Sequence, residues 1–108
     1  MAFRVNPNPT FTARVTVFVP ADGGHEKQEL TARFAFRDDE QIPAINGVNG
    51  GVDFLREVVV GLEDLVDEAG TPVIYTPELR DQLLKLPYVR NALIKGYFAA
   101  INGAALGN

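Results

Sequence analysis

The sequence predicts an α+β fold: an N-terminal antiparallel β-hairpin followed by a short helix, an irregular turn and two C-terminal helices. Three observations predict it. Apolar residues alternate with period two over 11–19 and again over 29–37. Pro20, Asp22, Gly23 and Gly24 place turn chemistry between those runs. Thr76 followed by Pro77 and Glu78, and then Pro87, are helix starts.

Residues 1–10 carry two prolines and two asparagines and read as an extended segment ahead of a single domain over 11–108. In the first strand Phe11, Ala13, Val15, Val17 and Val19 share one face, and Thr12, Arg14, Thr16 and Phe18 share the other. In the second, Leu30, Ala32, Phe34 and Phe36 alternate with Glu29, Thr31, Arg33, Ala35 and Arg37. Together they make a long hairpin, and later elements must cover its apolar face because an isolated hairpin is marginal in water.

Residues 38–51 hold three acids, a proline and three glycines and read as a mobile connection. Asp53 is the expected cap of a short helix over 54–60, with Gly61 ending it after the β-branched run Val58, Val59, Val60. Residues 62–75 suit a loop or a small irregular hairpin turning at 68–70. Thr76 then caps a helix expected to reach Leu86, since its side chain accepts an orphan backbone donor and Pro77 fits the first helical position. Pro87 breaks that helix and opens the last one, expected to run to about Ile101 and to end at Gly103.

A chain of 108 residues with 46% hydrophobic content is enough for one core. The absence of cysteine excludes a disulfide framework and thiolate metal sites. The sequence has no window with the length of a membrane span and no apolar leader in its first residues, so a soluble protein that stays where it is made is expected. Net charge is −4, and residues 38–68 hold nine acids against one base, Arg56. The ten Lys and Arg residues are scattered over three segments and form no dense basic face, so nucleic acid is not an expected partner.

Catalytic chemistry has little to work with. His25 is the sole histidine and falls in the glycine-rich hairpin turn, and serine is missing altogether. Glu63, Asp64, Asp67 and Glu68 invite a calcium reading, but their spacing lacks the alternating acids, central glycine and terminal glutamate of an EF-hand loop. Gly47, Gly50 and Gly51 do not join a strand to a helix in a phosphate-binding arrangement. The expectation is no catalytic, metal or cofactor site, and no enzyme activity.

The last helix is unusual as a surface. Val89, Leu93, Ile94, Tyr97, Phe98 and Ile101 fill about half its circumference, and Ala92, Gly96, Ala99, Ala100 and Gly103 fill much of the rest. Only a narrow strip with Asn91, Lys95 and Asn102 is polar. Such a helix is either central to a core or contacted from two sides. The small residues Ala92, Gly96, Ala99, Ala100 and Gly103 are therefore the candidate surface for self-association or a partner.

The segment from Phe54 onward, about half the chain, resembles the C-terminal half of tail assembly chaperones of long-tailed bacteriophages. The resemblance rests on Val60, Gly61 and Leu62 followed by acids, then Gly70 and Pro72, Thr76-Pro77-Glu78, Pro87-Tyr88-Val89-Arg90, and Tyr97-Phe98. The hairpin ending in Phe34, Ala35, Phe36 and Arg37 is also similar. Where the family often has tryptophan after the first of these glycines, this chain has Leu62.

The resemblance implies a non-enzymatic, non-structural viral or prophage protein of the host cytoplasm, absent from the mature virion. Its implied partners are the tape measure protein, tail tube subunits, further copies of itself and a frameshifted long form of the same chain. Leu106, Gly107 and Asn108 fit that last implication, because the codons CTG GGA AAC would contain the slippery heptamer G GGA AAC. Two rivals are a structural tail subunit, such as a tube or terminator protein, and a regulatory binding module carried by a prophage.

Overall fold

The computed structural model describes residues 1–41 and 51–103. Most of the expected 38–51 connection, and the tripeptide Leu106, Gly107 and Asn108, lie outside the described residues. The element order is β1 (Thr10–Ala21), β2 (Gly24–Ala35), α1 (Val52–Val58), β3 (Val59–Glu63), α2 (Pro77–Leu83) and α3 (Pro87–Ile101). The fold is α+β with the hairpin first, and its sheet runs in the order β1-β2-β3 with antiparallel pairing throughout.

β1 and β2 pair from Thr10↔Ala35 to Ala21↔Gly24, leaving Asp22 and Gly23 as the turn. Gly23 adopts φ 76°, a left-handed value that glycine takes without steric cost. Pro20 sits in β1 at the sheet edge, where its missing N–H removes no ladder bond. The inner face is the one the alternation predicts: Ala13, Val15 and Val17 of β1 and Leu30, Ala32 and Phe34 of β2 are buried.

β3 is a correction to the sequence reading. The helix expected through Val60 stops at Val58, and the chain passes directly into a strand that pairs Thr31↔Glu63, Ala32↔Leu62, Arg33↔Gly61 and Phe34↔Val59. Three consecutive β-branched residues lose little side-chain freedom in a strand, and ladder pairing beside β2 outweighs one more turn of helix. The register shifts between Arg33 and Phe34, so Val60 bulges out and is 43% exposed while Val59 and Leu62 both point inward. Gly61 is a strand residue, not a helix stop. Asp53 is likewise not the cap: Gly51 holds that position at φ 90°, and Asp53 lies in the first turn.

Beyond β3 the small irregular hairpin is present, closed by a Val66↔Pro72 bridge. Asp67 shapes its tip, its Oδ1 accepting from the backbone N–H groups of Ala69 and Thr71, each at 2.9 Å. Thr76 caps α2 as its sequence predicts, with Oγ1 accepting from the Leu79 N–H at 3.0 Å. The helix ends at Leu83 rather than Leu86, because the next residues tighten into i→i−3 bonds, Lys85 N–H to Gln82 O and Leu86 N–H to Leu83 O. α3 spans Pro87–Ile101, and Gly103 follows at φ 72°.

Candidate partner-binding surface

One face of the sheet is covered by helices, α3 across β1 and α1 over β2 and β3. At the open root of the hairpin an aromatic cluster holds them together. The buried Tyr97 ring stands edge-on to Phe34 at 5.4 Å and to Phe54 at 5.2 Å, and Phe98 stacks on Phe54 at 5.7 Å. Tyr97 Oη accepts from the Arg37 N–H at 3.4 Å, and Arg37 Nε bonds Glu57 at 2.9 Å, tying the end of the hairpin to α1.

α3 runs opposite to β1, with Tyr97 near Phe11, Gly96 on Val15 and its N-terminal residues toward the hairpin tip. A helix of 15 residues is about 22 Å long, whereas the apolar row from Phe11 to Val19 spans about 27 Å. The helix therefore falls about 5 Å short of the row, and a shallow groove of about 240 Å³ opens beside its N-terminal end over a largely buried floor. Val17, Val19 and Leu30 form that floor, Leu65 and Val66 one wall, and Leu83, Leu86, Tyr88 and Val89 the other. Gln28, Glu29 and Asp64 rim it.

The groove lies below the roughly 300 to 1,000 Å³ of small-molecule pockets. Its size and lining suit a few apolar side chains presented by another protein surface. The carboxylates of the two rim acids are held toward the outer face of the sheet, by Arg14 and by Thr31. Glu29 bonds Arg14 Nε at 2.7 Å and raises that arginine's pKa above its ordinary value, through the hydrogen bond first and the charge second. Asp64, in the left-handed region at φ 63°, accepts from Thr31 Oγ1 at 2.6 Å.

The five small residues of α3 do not form one free face, and Gly96 is the clearest correction. It is buried, and a Cβ placed there would meet Val15 Cγ2 at 2.9 Å, so it is the point where helix backbone rests on the sheet. Ala92 and Ala100 are partly buried against the same core, Ala99 is half-buried and Gly103 is exposed beyond the helix end. Phe98, stacked on Phe54, marks the flank turned toward α1. By helical period Ala92 and Ala99 lie on the opposite flank, above the outer edge of β1.

A second hollow, of about 440 Å³, lies among Val52, Asp53, Arg56, Asp81, Leu84, Lys85 and Arg90. Its charges largely answer one another: Asp81 lies 3.5 Å from Arg56 and 3.1 Å from Arg80, and Arg90 donates to Leu84 O at 2.9 Å. His25 is exposed at the start of β2, opposite Pro20. Glu63 ends β3 and Glu68 lies exposed in the small hairpin, so the four acids singled out by sequence have separate local settings.

The groove's residues escape sequence reading because four separate segments supply them. The usable signal was length, since two 12-residue strands outreach any single helix among the described residues. Among the described residues no helix is long and apolar enough to cross a membrane. Comparison with known proteins finds no family model, curated protein or solved structure that matches this chain.

Proposed function

We propose that this chain is a non-enzymatic tail assembly chaperone of the phage type, acting in the host cytoplasm and absent from the finished virion. The reading starts from the resemblance carried by Thr76-Pro77-Glu78, Pro87-Tyr88-Val89-Arg90 and their neighbours. The observation that supports it best is the apolar groove at the hairpin tip, with Val17, Val19 and Leu30 as floor and Glu29 and Asp64 on the rim.

A tape measure protein is a very long helix, and an apolar stripe along it aggregates in water unless covered. Helices dock into grooves through anchors at i, i+3 and i+4. The groove would take two or three such anchors. Many copies would cover the stripe reversibly, and their net negative charge would keep the complex dissolved. Tail tube subunits are the proposed second partner. A frameshifted long form would carry the same folded domain, since the candidate codons for Leu106, Gly107 and Asn108 come after α3.

The test is co-expression with a tape measure protein, the product expected of a very long open reading frame downstream of this gene. The wild-type chain should keep that protein soluble and copurify with it, whereas Val19→Asp and Leu86→Asp should lose both effects while keeping the wild-type circular dichroism spectrum. Unimpaired capture by both folded variants would sink the groove assignment. Finding the chain in purified virions by mass spectrometry would favour a structural tail subunit instead.

A further inference from the structure

Among the described residues β1 is an unprotected sheet edge. The Phe36 N–H donates to Pro9 O at 2.9 Å, and the Ala21↔Gly24 pair closes the turn, so odd-numbered residues of β1 bond to β2. The N–H and C=O groups of Thr10, Thr12, Arg14, Thr16 and Phe18 consequently point away from the sheet. Natural edges are blunted by short length, bulges, proline or lysine. Between Thr10 and Val19 this one has none of these, and its single charge, Arg14, is tied to Glu29.

The same chain carries an extended segment with no sheet to join. In residues 1–5 the apolar side chains of Met1, Phe3 and Val5 recur with period two, and all are exposed, Phe3 at 90% and Val5 at 89%. Proline first occurs at Pro7, so each of these five residues keeps the backbone donor a ladder requires. From these two observations we infer that residues 1–5 of one copy add as a strand to the free β1 edge of a second copy.

Size matching favours this occupant. An added strand would extend the inner row of Phe11, Val15 and Val19, placing Met1, Phe3 and Val5 beside the flank of α3 that holds Ala92 and Ala99. Large side chains would meet small ones there, and the half-buried Phe11 and Val19 would gain cover. The exchange is between copies because the chain already bends at Pro7 and Asn8, where Asn8 N–H bonds Asn6 Oδ1 at 3.2 Å, and that bend leaves Met1, Phe3 and Val5 exposed rather than returned to their own edge. Each copy then has one donor and one acceptor, and reciprocal exchange between two copies satisfies both in a two-fold pair.

This inference does not depend on the tape measure reading, and its test uses the purified chain alone. Sedimentation across a concentration series should show association of the wild type. It should be lost in Phe3→Asp/Val5→Asp, whose sites touch nothing in the folded domain, and in Thr12→Pro, which removes an outward N–H. Both variants should retain the wild-type circular dichroism. Mixing the two variants should restore a one-to-one pair, since one keeps the edge and the other keeps the arm. A wild type that stays monomeric at every concentration overturns the inference. So does an arm variant that associates as well as the wild type, or a mixture that does not pair.

Discussion

Gly96 of α3 sits directly on Val15 of β1, with only 2.9 Å between the position of an added Cβ and the Val15 Cγ2 methyl. A helix packs a full layer away from a sheet when side chains intervene, and here one is missing by necessity. The contact fixes how deeply Tyr97, the next residue, is driven into the aromatic cluster.

Gly96→Ala should therefore destabilise the domain, despite a helix-propensity gain of about 1 kcal/mol for replacing glycine. Overpacking against stiff, β-branched Val15 opposes that gain with about 1 to 3 kcal/mol. In a Val15→Ala background the clash disappears and the same substitution should stabilise. Urea denaturation of the four chains in this cycle checks the change of sign.

Gly61 offers the opposite case. Its φ is not positive, and an added Cβ would lie 3.5 Å from Arg33 Cβ, an ordinary contact between paired strands. Gly61→Ala should raise stability by about 0.5 kcal/mol, largely by restricting the unfolded chain. A midpoint shift to higher urea with unchanged slope is the expected readout.

Tyr97 contributes mainly through its ring. Tyr97→Phe removes an acceptor whose bond to the Arg37 N–H is long, at 3.4 Å, and should cost less than about 1 kcal/mol. Tyr97→Ala opens a cavity where Phe11, Phe34, Phe54 and Phe98 meet and should cost about 3 to 5 kcal/mol. Thermal unfolding of the two variants separates these contributions.

Thr76→Ala should act locally. It removes the cap on the Leu79 N–H, worth about 1 kcal/mol, but α2 itself contains no buried residue. Amide exchange at Leu79 and Arg80 should quicken about fivefold while global stability hardly moves.

The parts of the fold legible in the sequence are those whose pattern is local. Alternation from Phe11 to Val19 identified the hairpin's inner face, and Thr76 and Pro87 fixed where two helices begin. β3 was hidden because its bulge at Val60 breaks the alternation that would have marked it, and its pairing partner lies 25 or more residues earlier in the chain. The small residues of α3 were visible by helical period, but which of them face the sheet depends on where α1 lies. Period alone does not place one helix against another, so Gly96 looked like surface and proved to be contact. Residues 1–5 looked merely extended, and the edge they match is defined only once β2 has chosen its side of β1.

The first strand of this domain is covered by the last helix, and that ordering has a consequence for synthesis. A ribosome emits the hairpin early, and its local pairing needs no later residue. Its apolar face nevertheless stays wet until Pro87–Ile101 has left the exit tunnel, because among the described residues α3 is the helix that packs across β1. Nascent chains stalled before that point should be caught by trigger-type holdases, while chains released after it should close in a single step.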